Sequence, residues 1–271
     1  MEHDVLLPKR TGAEAFRKLA ELSRGALELL LPPTCGACGV PTDPTAVLCP
    51  ACDSQLERIA AHACQLCQET APQADNRLCA GCEMSESPLT ACVAGVRFNA
   101  AGAEWIHRFK YPKKGFRGLD PAPASVVGAM LREAVAWAPG PQPDLIVPVP
   151  LHPRRLRLRG FNPAAQIARS LAREFGIPFD AVALCRTRDT PSQTDLDRRE
   201  RRRNVRGAFR ARRGRHVPER IWLVDDVVTT TSTLTEAAIA LRAAGARTVI
   251  GLCATRALSN LSSGGRGNEN R

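Results

Sequence analysis

Beyond residue 90, continuous apolar runs alternate with stretches whose apolar residues recur every three or four positions. "ACVAGVRF" (91–98), "DLIVPVPL" (144–151), "AVALCRT" (181–187), "RIWLVDD" (220–226) and "RTVIGLCAT" (247–255) have the length of buried strands. "AGAEWIHRFKY" (101–111) reads as a helix or turn rich in basic and aromatic residues. "PASVVGAMLREAVAWA" (123–138) reads as a helix with Val126, Val127, Met130, Leu131 and Ala134 inward. "NPAAQIARSLAREFG" (162–176) follows, with Asn162 as N-cap, Pro163 at the first helical position and Gly176 as the stop. "TLTEAAIALRAAG" (233–245) packs through Leu234, Ala237, Ala238 and Leu241 and ends at Gly245. Strands alternating with helices predict right-handed crossovers and an α/β fold, a doubly wound, mainly parallel sheet.

The pattern before residue 90 is different. Large apolar residues are few, and eight of the eleven cysteines fall into four pairs: Cys35 and Cys38, Cys49 and Cys52, Cys64 and Cys67, Cys79 and Cys82. A C-x₂-C turn supplies two thiolates from one knuckle, and two knuckles complete a tetrahedral Cys₄ zinc site. The expectation is two structural zinc ions that largely fold this segment, with the partnering of knuckles left open. A disulfide framework is the alternative, and a cytoplasmic setting disfavours it. Nucleic-acid contact and simple buttressing of a neighbour are equally open roles for such ribbons. Cys92, Cys185 and Cys253 sit among apolar residues and read as buried core thiols.

Residues 1–31 carry Phe16, Leu19, Leu22, Ala26 and Leu30 at helical spacing, which suggests an amphipathic docking helix. Charges at Arg17, Lys18, Glu21, Arg24 and Glu28 interrupt any signal-peptide core. No run is long and apolar enough to span a membrane, so a cytoplasmic protein is expected. The implied organisation is a helix at 1–31, a double zinc ribbon at 32–88, an α/β domain at 89–257 and a disordered tail at 258–271. A formal charge of +11 over 271 residues favours a polyanionic partner without choosing one.

"WLVDDVVTTTSTL" (222–234) carries the most specific chemistry. Ligands of a doubly wound sheet bind beyond the carboxyl ends of its strands, beside helix N-termini. Hydroxyls and backbone amides there suit a phosphate, whereas Asp225 and Asp226 would repel a bare anion. Both features suit a ligand that also carries sugar hydroxyls, which donate to carboxylates. A ribose 5-phosphate satisfies the two together. Helix capping alone explains one acid and one threonine.

This stretch resembles the signature of type I phosphoribosyltransferases, in which an acid pair and two apolar residues precede Thr-Thr-Gly-x-Thr. With "VPVPLHPRRLRLRGFN", "IHRFKY", "RRERRRNVRGAF" and the cysteine-rich module, residues 32–257 look like the ComF competence-protein family. The resemblance implies that Asp225 and Asp226 meet ribose hydroxyls. It implies that Thr229, Thr230, Thr231, Ser232 and Thr233 hold the 5-phosphate of phosphoribosyl diphosphate (PRPP), with Mg²⁺ accompanying the diphosphate. It implies that the loop carrying Arg154, Arg155, Arg157 and Arg159 holds the diphosphate; His152 there is a weaker candidate. Thr231 replaces the signature glycine, and a β-branched residue would be strained if the position needs positive φ.

Residues 192–215 hold ten arginines against three acids. By the resemblance this segment is a lid over PRPP; by charge it is a solvated loop or a track for single-stranded nucleic acid. Arg198, Arg199, Arg201, Arg202 and Arg203, with Lys110, Lys113 and Lys114 beside aromatics, are the candidate contacts. Three functions remain open. One is an accessory factor of DNA uptake that binds PRPP, single-stranded DNA and proteins of the uptake machinery. The others are an active phosphoribosyltransferase of unknown acceptor and a silent PRPP sensor.

Overall fold

A computed structural model describes residues 32–60, 62–69, 77–111, 121–190 and 198–257, with the side chains of 121, 122, 198, 199, 201 and 202 left aside. The docking helix expected at 1–31 and the tail at 258–271 lie outside the described residues. The chain forms two compact units that divide between Asp53 and Ser54, one cysteine tetrad in each.

The first unit contains one Cys₄ tetrad and a helical turn, α1 (Pro50–Asp53). Thr34 bridges Pro41 in antiparallel fashion, and the Gly39 amide donates to the Cys35 carbonyl at 2.9 Å. Gly39 closes that turn at φ 76°, where the absence of Cβ removes the steric cost.

The second unit starts with the matching tetrad and a matching turn, α2 (Ala80–Glu83). Gln68 takes the place of Gly39: its amide donates to the Cys64 carbonyl at 2.9 Å, and it adopts φ 57° despite its side chain. That conformation costs about 1–2 kcal/mol for a non-glycine residue. Two hydrogen bonds offset it, since Gln68 Nε2 donates to the Ala94 carbonyl (3.0 Å) and the Ala94 amide to Gln68 Oε1 (2.8 Å). The first knuckle of the second tetrad is thereby fastened to the first strand of the sheet.

Next in the chain come β1 (Ala91–Arg97), α3 (Ala100–Lys110), α4 (Pro121–Ala136), β2 (Leu145–Pro148), α5 (Pro153–Arg159) and α6 (Pro163–Phe175). They are followed by β3 (Leu184–Arg186), α7 (Arg198–Val205), β4 (Phe209–Ala211), β5 (Arg220–Val228), α8 (Ser232–Ala243) and β6 (Thr248–Arg256). β1, β6, β5 and β2 form a parallel sheet in that order.

Helices cover both faces. Trp222 of β5 meets Phe175 of α6 edge-on at 6.1 Å, while Ile221 and Leu223 share a buried cluster with Leu234, Ala237, Ala238 and Leu241 of α8. The inward residues expected of α4 are all buried. At Gly95 of β1 an added Cβ would sit 1.9 Å from the Met130 carbonyl, so only glycine lets α4 lie this close.

Several expectations are corrected. The run at 181–187 leaves the parallel sheet: β3 pairs antiparallel with β4 in a separate two-stranded sheet. Phe179 takes the place beside β2, bridging Ile146 in parallel. Asn162 stands at the N-cap of α6, yet its side chain turns away and Nδ2 donates to the Val149 carbonyl at 3.0 Å. Cys185 is half-buried on the hairpin, whereas Cys92 and Cys253 are in the core, where burial pushes both thiols up.

Candidate ribose-phosphate site and metal centres

The knuckles are partnered in sequence order. In each of the sets Cys35, Cys38, Cys49, Cys52 and Cys64, Cys67, Cys79, Cys82, all four sulfurs lie within 4.8 Å of one another. A tetrahedron with Zn–S of about 2.3 Å has edges of about 3.8 Å. Cys38 and Cys49 sulfurs are 3.7 Å apart, and those of Cys67 and Cys79 are 3.8 Å apart.

Thiol chemistry agrees with a metal. Burial raises the Cys35 thiol, but backbone donors at Cys49, Cys38 and Ala37 outweigh it and hold the group at about 6. Its neighbour Cys52 is pushed up to about 12, first by the Cys38 sulfur and then by burial. Four such thiols ionise together only around a cation, and Zn²⁺ fits the donor set and the spacing. The residues therefore suit a structural metal that crosslinks each pair of knuckles.

The acid pair lies within β5, two residues short of its end, rather than at the strand terminus. Asp225 stands opposite Cys253 of β6, and Val227 and Val228 continue the pairing to Thr255 and Arg256. Asp226 is buried, and its Oδ1 is 2.8 Å from Lys110 Nζ, the last residue of α3. Lys110, a candidate nucleic-acid contact by its sequence, is thus held against the acid pair.

Asp225 accepts from the Asp226 amide at 2.9 Å. Burial, then the charge of Asp226, push its carboxyl up to about 7, against the pull of Lys110 and Arg186.

The hydroxyl loop passes directly into α8, whose N-cap is Thr231. Thr231 has φ −66° and ψ 2°, a right-handed conformation open to any L-residue. The strain expected from losing glycine is therefore absent. Thr230 and Ser232 hydroxyls are 3.0 Å apart, and Thr231 accepts from the Thr235 amide at 2.8 Å. Ser232 is buried in the first turn.

The segment read as a diphosphate loop is a helix, α5, capped by Gly160 at φ 83°. Its arginines diverge. Arg154 faces Asp189 (3.4 Å), Arg155 donates to the Thr190 carbonyl (2.8 Å), and Arg159 donates to the Tyr111 hydroxyl (3.0 Å) while lying over its ring. His152 caps α5, accepting from the Arg154 amide, and faces Asp189 at 3.5 Å.

Arg186 of β3 was not singled out from the sequence. It is buried, donates to the Thr190 hydroxyl, lies over Phe209, and its Nε has no partner among the described residues. Burial, then the charge of Arg155, pull its guanidinium down, and Asp225 and Asp189 oppose them.

A cavity of about 630 Å³ adjoins the loop. Its walls include Cys67 and Cys82 of the second tetrad, Thr229, Thr231 and Ser232 of the loop, and Arg203, Arg206 and Arg256. Arg203 is exposed on α7 and turns this arginine-rich segment toward the hydroxyls. Arg198, Arg199, Arg201 and Arg202 share α7, with side chains outside the described residues, as are Lys113 and Lys114 entirely. Among the described residues no helix is long and apolar enough to cross a membrane.

Two cysteine tetrads followed by a parallel α/β sheet with an acid pair and a hydroxyl loop define a zinc-ribbon protein with an α/β domain. Residues 26–87 match the double zinc ribbon domain family. Competence protein F of Haemophilus influenzae is 30% identical over 199 residues, 73% of this chain and 79% of that protein. The chain belongs to the ComF family. DNA utilization protein YhgH of Escherichia coli O157:H7 is 44% identical over 119 residues, 43% of this chain and 51% of that protein, so the match spans about half the relative's length. Among solved structures, the glutamine PRPP amidotransferase of B. subtilis is 23% identical over 56% of this chain and 30% of its own, with a TM-score of 0.37.

Proposed function

We propose that this chain binds PRPP or a closely related ribose phosphate and acts in DNA uptake or utilization, contacting single-stranded DNA. The observation that carries the ligand reading is the Asp225–Asp226 pair inside β5, leading through Thr229–Thr233 into the N-terminus of α8. The loop's amides and hydroxyls attract phosphate, and the acids accept from ribose hydroxyls. Mg²⁺ would arrive with the diphosphate, held mainly by it and by water. The DNA reading rests on the charge of +11, the arginines of α7 and the names carried by relatives: competence protein F and DNA utilization protein YhgH.

Calorimetry with PRPP–Mg²⁺ and ribose 5-phosphate on wild type and Asp226→Asn tests the pocket; no heat of binding in wild type would end this reading. Single-stranded DNA affinity should fall with log salt at about −0.7 per neutralised phosphate. A flat salt response would remove the DNA contact. A second reading, phosphoribosyl transfer, is favoured by the intact Asp225–Asp226 pair leading into the hydroxyl loop at Thr229–Thr233. It requires diphosphate release from PRPP–Mg²⁺ with an added nucleobase, lost in Asp226→Asn.

A further inference from the structure

Arg256, the last residue of β6, is 3% exposed. Its Nη1 donates to the Cys67 carbonyl at 2.9 Å and its Nη2 to the Cys92 carbonyl at 2.6 Å, with the Cys92 sulfur 2.9 Å from Nη2. Its Nε has no partner among the described residues. A charge this deep costs several kcal/mol unless it is well held. Its holders are carbonyls of a metal knuckle and of an edge strand.

The Arg256 backbone lies opposite Val228, the residue before the hydroxyl loop, and the amide of Ala257 donates to the Val228 carbonyl at 2.9 Å. Arg256 also lines the cavity that Cys67 and Cys82 share with Thr229, Thr231 and Ser232. One residue therefore reaches a knuckle of the second tetrad and the sheet edge through its side chain, and the base of the loop through its backbone. Where the Cys67 carbonyl stands depends on whether Cys64, Cys67, Cys79 and Cys82 converge on one ion.

We propose that Arg256 is a positioning residue that ties the second zinc site to the hydroxyl loop. The cavity between them then receives a phosphate-bearing ligand only while that site holds its metal. The ligand half rests on the ribose-phosphate reading above; the tie itself does not. The first tetrad belongs to the other unit.

Hydrogen exchange on the full, zinc-loaded chain separates the two halves. Arg256→Met should keep both metal ions by elemental analysis, yet speed exchange of amides 228–233 by about tenfold or more. Amides 221–224 in the same strand should hold. Arg256→Lys keeps the cation without the fork and should fall between; it carries the measurement if the Met variant does not fold. Cys64→Ser/Cys67→Ser should reproduce the fast loop, and Cys35→Ser/Cys38→Ser should not.

Ribose 5-phosphate affinity, measured by calorimetry, should weaken in parallel with the exchange. Unchanged exchange at 228–233, a uniform rise along the sheet, or equal responses to both cysteine pairs would overturn the tie. Failure of wild type to bind ribose 5-phosphate would instead sink the ligand half, with the exchange data still deciding the coupling.

Discussion

Lys110 Nζ and Asp226 Oδ1 meet at 2.8 Å, with the lysine side chain 23% and the aspartate 9% exposed. The contact places the end of α3 over the acid pair and neutralises the carboxylate that burial would otherwise penalise. Removing one member strands the other. Lys110→Met should cost about 2–4 kcal/mol in urea unfolding, below the fully buried limit because the lysine keeps some water. Adding Asp226→Asn should recover part of that loss, and a double-mutant cycle with no coupling would contradict the pair.

Asp225 makes stability depend on pH. Its carboxyl rises from the ordinary 3.8 to about 7 through burial and the nearby Asp226 charge. An acid that binds its proton more tightly folded than unfolded stabilises fully below its ordinary value. That contribution is lost as pH climbs through about 7. Tm should therefore fall between about pH 5 and about pH 8, a range above the acid loss of zinc. Asp225→Asn should flatten the slope, and an identical slope in the variant would exclude Asp225 as its source.

Thr231 needs no relief from strain, since its φ is −66°. Thr231→Gly should leave ribose 5-phosphate affinity unimproved in calorimetry. It should also lower stability by at most about 1 kcal/mol through added freedom in the unfolded chain. Tighter binding in the glycine variant would show that the loop adopts positive φ with ligand.

Two glycines should respond in opposite directions. Gly95→Ala drives a methyl into the Met130 carbonyl and the Glu133 side chain, at 1.9 and 2.7 Å. Separation of α4 from the sheet should then cost about 3 kcal/mol or more. Gly128 lies within α4 with nothing inside 4 Å of an added Cβ. Gly128→Ala should gain about 0.5–1 kcal/mol of helix stability. Equal melting temperatures for the two variants would refute the packing of α4 on β1.

The parallel sheet, both thiolate tetrads and the acid-hydroxyl stretch were legible because each is written locally: apolar runs, C-x₂-C spacing, adjacent acids. Arg256 was not, since it reaches Cys67 across 189 residues; a charged residue closing the apolar run at 247–255 was its only signal. Arg186 was hidden for the same reason, its neighbours Asp225 and Arg155 arriving from other elements. The short run at 181–187 carries strand propensity but no instruction for its partner, and β4, inside the arginine-rich stretch at 192–215, supplied one that charge had obscured. Helix α5 was masked by its arginines, although Pro153 and Gly160 bracket it as start and stop.

The outermost strand of the sheet has a guard. Amides of Ile59, Arg97 and Cys92 bond carbonyls of Gly95, Glu57 and Gln65, so Glu57, Ile59 and Gln65 lie along the free side of β1. A bare margin of that kind recruits strands from other molecules. If the metal of the adjoining knuckle holds that cover in place, chelation should bare the margin and make the chain self-associate, which light scattering would detect.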